Sequence, residues 1–332
     1  MRFVTILLAA CVLIAGTTVT PQAGATTYQI ANNGGANQVW KYNDAGTDWT
    51  AITDTSLTVT QLAAAADHLY AIASDGGDAG VLEYTGSGTN WTDITGPNEY
   101  AQTISGETSL YANAIDGNAG PEEVWHYSGL TGQWSIIDTQ STFINTIVES
   151  RGVAYSMTSR DAGVPWPFFG GWAIWQYEGQ PDDWTQISDD SMVVYQLTGS
   201  HGGLYVVGDY GGTQQVWSYS SAETPWTAIT GTNTTVSSIT SSNGQVYMIA
   251  TNGGPSQVWE YTGSGTDWAA ISTTDMQMVW ITASGRHVYG FGHNGAAKNR
   301  LWQYPGTGTS WTAITGTVTD VTQVVETVES DL

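Results

Sequence analysis

The sequence predicts an all-β fold: a seven-bladed β-propeller of four-stranded blades, with the closing blade shared by the N- and C-terminal segments. Three observations predict it. Of 332 residues, 40 are Gly, 16 Trp and 17 Tyr, a mixture that suits short strands joined by tight turns. The chain repeats itself seven times. The repeat is also out of phase with the chain ends, as a ring closed by a shared blade requires.

The repeat defines each element in turn. A second strand carries a leading Tyr at Tyr28, Tyr70, Tyr111, Tyr155, Tyr205, Tyr247 and Tyr289, spaced by 42, 41, 44, 50, 42 and 42 residues. That spacing is the length of a four-stranded blade. A third strand carries Trp40, Leu82, Trp125, Trp175, Trp217, Trp259 and Trp302, each followed two residues later by Tyr. There Val39 and Lys41 alternate with Trp40 and Tyr42, the period of a strand with unlike faces. A fourth strand opens on Trp49, Trp91, Trp134, Trp184, Trp226, Trp268 or Trp311. Asn33-Gly34, Asp75-Gly76, Asp116-Gly117, Asn252-Gly253 and Asn294-Gly295 join second to third strands, because such pairs supply the positive φ of tight hairpins. The chain enters at a second strand, near Tyr28, and finishes just after a first strand at 321–324, which matches 59–62. Pairing the two completes the seventh blade and removes both open edges.

Residues 1–25 read as a secretory signal peptide. Arg2 precedes an apolar run over 3–16, and Ala23-Gly24-Ala25 forms an A-x-A cleavage site. The propeller domain is then 26–332. A lipobox at 8–11 is the alternative, making the chain a lipoprotein through Cys11, although Val12-Leu13-Ile14 extends the apolar run beyond it. Either leader places the protein outside the cytoplasm, secreted or periplasmic. Cys11 is the only cysteine, so the processed chain has no disulfide and no thiolate chemistry. No later stretch approaches 18 apolar residues, and no membrane-spanning helix is expected.

Seven Lys and Arg stand against 30 Asp and Glu, a net charge of −23. Nucleic acid is therefore excluded as a partner, since phosphate binding needs clustered cations. The acids are scattered through the repeats and read as solvated surface; a cationic partner or divalent ion is the other reading. His68, His126, His201, His287 and His293 show no metal-ligand spacing, and no D-x-D-x-D-G run is present. No metal, cofactor or catalytic residue is assigned.

The repeat resembles two propeller families. Trp226-Thr227-Ala228-Ile229-Thr230-Gly231, followed by Val246-Tyr247 and Tyr261, resembles the tectonin and tachylectin-like lectin repeat, which implies carbohydrate binding. Leu204-Tyr205-Val206-Val207, Gly211-Gly212 and Val216-Trp217-Ser218-Tyr219 before Trp226 resemble a kelch repeat of galactose-oxidase-like propellers, which implies protein recognition. Gly211 and Gly212 lie six and seven residues after Tyr205, where kelch places them three and four after. Tyr also replaces the second-strand Trp of tectonin. Asp44-Ala45-Gly46-Thr47-Asp48-Trp49 resembles the core of a sialidase Asp-box, a structural motif, but Tyr42 stands where that motif has Ser or Thr.

The repeated aromatics read as packing between blades, where large rings bury the most surface; Leu82 at a Trp position agrees. The off-grid aromatics read as a binding site. An insertion at 164–172 carries Trp166, Phe168, Phe169 and Trp172 between a second and a third strand. Strands alternate in direction, so this loop shares a face with the blade-to-blade connections, and aromatic loops on a rigid scaffold bind ligands. A loop folded back over its own blade is the other reading. Tyr195 and Trp280 fall in first strands, which line the central channel, and Gln61 and Gln196 there supply hydrogen bonds. Trp280 reads equally as a platform or a plug. The expected function is a secreted, non-enzymatic, monomeric, lectin-like propeller in which these residues bind a glycan. The alternative is a kelch-like interaction propeller meeting an extracellular protein with the same face. A third reading is a glycoside hydrolase, which needs two carboxylates at a set separation.

Overall fold

The structure, a computed structural model, describes residues 24–32, 36–95, 99–116, 122–140, 143–159, 172–220, 226–295, 299–316 and 320–328. Within them, 28 strands form seven four-stranded antiparallel sheets, the blades. Blade 2 shows the plan: Thr58–Ala65, His68–Ser74, Gly80–Tyr84 and Trp91–Asp93 follow one another from the inside outward. The innermost strands of blades 3 to 7 are Glu99–Gly106, Phe143–Ser150, Val193–Ser200, Thr234–Ser242 and Met276–Ser284. Blade 1 is the closing blade. Its innermost strand is the C-terminal Asp320–Val328, and Ala25–Asn32, Gln38–Tyr42 and Trp49–Ala51 follow. The register runs from Ala25 opposite Val328 to Asn32 opposite Asp320, so both edges vanish as the sequence predicts. Among the described residues there is no helix.

The repeated residues hold the ring together. Each fourth-strand Trp donates its indole N–H to the carbonyl of an Ile at the end of the preceding blade. Trp91 bonds Ile52 at 2.8 Å, Trp134 bonds Ile94 at 2.7 Å and Trp268 bonds Ile229 at 2.6 Å. Trp49 bonds Ile314 at 2.7 Å and so joins blade 1 to blade 7. The same tryptophans lean on the third-strand Tyr of their own blade, as Tyr84 and Trp91 do at 5.1 Å. Between blades lie apolar clusters, such as Ile72, Val81, Ile104 and Leu110 between blades 2 and 3. Removing these side chains from water is the main stabilising term. In six blades a hydroxyl follows this Ile and satisfies a third-strand N–H; Thr53 accepts from Val39 at 3.0 Å and Ser272 from Val258 at 2.8 Å, while Asp138 follows Ile137. The predicted hairpin at Asn252-Gly253 has its Gly at φ 74, the region that only Gly enters freely.

All seven innermost strands carry a β-bulge at the same place. The residue passed over is Thr60, Gln102, Asn145, Tyr195, Ser237, Val279 or Thr322. A bulge bends the strand and re-aims a side chain, here repeated around the axial channel.

The leader with Cys11, the Asn33-Gly34 turn, and Trp166, Phe168 and Phe169 of the insertion lie outside the described residues.

Candidate functional site

The innermost strands run in one direction, so their ends gather at one mouth of the channel and their starts at the other. The two mouths differ. At the end mouth is a cavity of about 350 Å³ lined by small side chains, among them Ala64, Ser105, Thr198 and Ser241. Carboxylates tie the surrounding turns together. Glu149 of blade 4 is buried and accepts the N–H of Ser109 at 2.9 Å and of Thr108 at 3.1 Å, both in the blade 3 turn. Glu326 of the closing blade repeats the device on blade 7: Arg286 N–H at 3.2 Å and His287 Nδ1 at 3.1 Å. Buried carboxylates need such donors, and the charge strengthens each bond. Glu107 of blade 3 reaches over blade 4 to His201 of blade 5, with Oε1 2.6 Å from Nδ1 and 2.9 Å from the backbone N. Burial raises the Glu107 carboxyl above its ordinary range, and the His201 contact partly offsets that. Arg151 adds a 2.8 Å bond to the Gly202 carbonyl. These clamps tie the turns together around the cavity.

The start mouth is apolar on one side. Tyr100, Phe143 and Val193 occupy the same rim position in consecutive blades 3, 4 and 5, with 39, 49 and 40% of their surface exposed. Tyr195, at its bulge, is 51% exposed and donates its hydroxyl to Asp209 Oδ2 at 2.7 Å. That bond raises the Tyr195 phenol and lowers the Asp209 carboxyl. The other blades place Thr58, Thr235, Gln277 and Asp320 on the rim. An apolar arc therefore covers three blades of seven. Exposed apolar groups gathered this way mark interaction surfaces.

The expected site residues are not gathered into one platform. Trp172 bridges to Val194 and packs against the core between blades 4 and 5, beside the arc. Tyr195 belongs to the arc. Trp280, in blade 7, stacks on Phe291 at 5.7 Å and 17°, away from the arc. Gln61 and Gln196 spend their amides on the protein itself. Gln61 Nε2 donates to the Ile104 carbonyl and Oε1 accepts the Ile104 N–H, both at 2.9 Å. Gln196 does the same to Ile239 at 3.0 Å, and Gln323 to Leu62 at 2.7 and 2.8 Å. Each carboxamide spans the gap to the next blade. Tyr100, Phe143 and Val193 were missed by sequence reasoning. Their signal was present, as apolar residues one position before the buried residue that precedes each bulge.

No family model matches the sequence, and no curated protein matches it; the resemblance to tectonin and kelch repeats is not shown. Solved structures do match in fold. A prolyl endopeptidase aligns at TM-score 0.58 and 13% identity over 76% of this chain and 42% of its own. The acylaminoacyl peptidase of Pyrococcus horikoshii aligns at 0.64 and 10% over 88% of this chain and 50% of its own. The propeller domain of the trilobed protease from Pyrococcus furiosus, described as an open velcro, aligns at 0.67 and 9% over 89% and 96%. The chain thus spans half or less of the two peptidases. These likenesses establish a seven-bladed propeller, the class to which the fold belongs. They also correct the expected function. The propellers matched belong to peptidases, so the lectin-like reading, with its kelch-like and glycoside-hydrolase alternatives, is overturned. Gln61 and Gln196 each commit one N–H and the carbonyl oxygen to the next blade.

Proposed function

We propose that this chain is the non-catalytic propeller of a peptidase system, admitting extended peptides into its axial channel and holding back folded protein. The asymmetry of the channel carries this reading: at one mouth Glu107, Glu149 and Glu326 clamp the turns together, and the other carries an exposed apolar arc. A peptide with apolar side chains gains by burying them there, whereas a folded protein offers few. The peptidase propellers that share the fold support it. His201 and His287 meet carboxylates in turn clamps between blades, and His68 meets Glu83 within blade 2, which suits a scaffold role.

The test is equilibrium binding of one small protein in two forms, native and reduced-alkylated. The unfolded form is expected to bind and to remain uncleaved by the chain alone. Equal binding of both forms, or of neither, refutes the reading.

A further inference from the structure

Three of the seven gaps between innermost strands are filled by the carboxamides of Gln61, Gln196 and Gln323. A carboxamide resembles a peptide group in presenting an N–H donor beside a carbonyl acceptor. In each case it pairs with the N–H and C=O of one residue on the next strand, as a neighbouring strand would. The same register recurs in the other blades. Thr103 and Thr146 stand where Gln61 stands, and Ile147 and Leu197 where Ile104 stands. No side chain among the described residues bonds the backbone of Ile147 or Leu197. These two gaps are consecutive, on either side of blade 4. Both lie on the strands that carry Tyr100, Phe143, Val193 and Tyr195 at or near their starts.

A second observation falls at the first gap. Asn113, 1% exposed, replaces the apolar residue of other blades, such as Ile72 and Val207. Its amide N–H reaches the Ile144 carbonyl at 3.4 Å, and its Oδ1 has no partner. A buried polar atom left without a partner is costly.

We propose that the gaps Thr103–Ile147 and Thr146–Leu197 bind one extended peptide, taking its successive amide groups where three other gaps use glutamine, with its apolar side chains lying on the arc. The occupant carries positive charge, since the chain has a net charge of −23. This site rests on the peptide-admitting reading and gives it a location.

The probe is the acetylated, amidated peptide Lys-Phe-Ala-Phe-Lys, measured by calorimetry against the full chain. The double variant Thr103→Gln/Thr146→Gln fills both gaps from within, and its affinity is expected to fall about tenfold, the loss of one or two hydrogen bonds. Ser238→Gln, at a gap without the arc, is expected to bind as the wild type does. The same peptide N-methylated along its backbone is expected to bind wild-type protein about tenfold more weakly; this arm decides the question if the double variant does not fold. Unchanged affinity for the N-methylated peptide, or for a folded double variant, overturns the site and leaves the peptide-admitting reading in place. Failure of the wild type to bind any unfolded chain overturns both.

Discussion

Gln61 and Ile104 exchange two hydrogen bonds of 2.9 Å across the gap between blades 2 and 3, one from the Gln61 amide N–H to the Ile104 carbonyl and one from the Ile104 N–H to the Gln61 Oε1. A side chain thereby does the work of a strand. Gln61→Ala leaves the Ile104 N–H and C=O without these partners, and the expected loss is about 1–3 kcal/mol. Gln61→Glu keeps the size but loses the donor and turns a charge toward the Ile104 carbonyl; it is expected to cost at least as much at neutral pH. Urea unfolding of the two variants measures this. A loss below experimental error would show that water replaces the bridge at no cost.

Trp268 separates bonding from packing. Its indole reaches the Ile229 carbonyl at 2.6 Å and its ring leans on Tyr261 at 5.2 Å. Trp268→Phe keeps a ring and loses the bond, with an expected cost of about 1–3 kcal/mol. Trp268→Ala loses both, at about 3–5 kcal/mol. Equal costs in chemical denaturation would mean that the hydrogen bond contributes nothing.

The closing blade predicts a pH dependence. The hydrogen bond to Glu326 raises the His287 imidazole above its ordinary value, against the opposing effect of burial. Arg286 lowers it and Asp44 raises it, both through charge. A raised folded-state value means that the charged clamp adds stability fully below the ordinary histidine range, near pH 6.5, and loses it as pH rises through the raised value. The melting temperature of the wild type is expected to fall over that interval by more than that of His287→Gln. Parallel curves would remove His287 from the account.

Gly202 tests how closely the turns are laced. A Cβ there would lie 2.1 Å from the Gly244 backbone in the next blade, and backbone cannot rotate aside. Gly202→Ala is expected to destabilise by about 1–3 kcal/mol through this overlap. Gly231→Ala, where a Cβ meets nothing within 4 Å, is the control. Thermal unfolding of the pair reads the difference, and similar melting points would show that the turns move apart freely.

The blades were legible because each is encoded locally. The Val-Trp-x-Tyr alternation, Asn-Gly turns such as 252–253 and the spacing of Tyr28 through Tyr289 act within about 40 residues, and the structure repeats them blade by blade. The site was less legible. Gln61 falls in an innermost strand as its place in the repeat implies, but a glutamine reads the same whether its partner is a ligand or a backbone 43 residues away. Trp280 was likewise placed in its strand, while its stacking on Phe291 depends on how two adjacent strands meet.

The sequence by itself determined seven four-stranded blades and a closing blade built from both ends, because strand periodicity, turn chemistry and repeat length are written in neighbouring residues. Tertiary structure alone decided which mouth of the channel carries the carboxylate clamps and which the exposed apolar arc. It brought Glu107 to His201 across 94 positions and set Tyr100, Phe143 and Val193 side by side from three blades. Such contacts follow from closing the ring, which fixes distances that spacing along a chain does not contain.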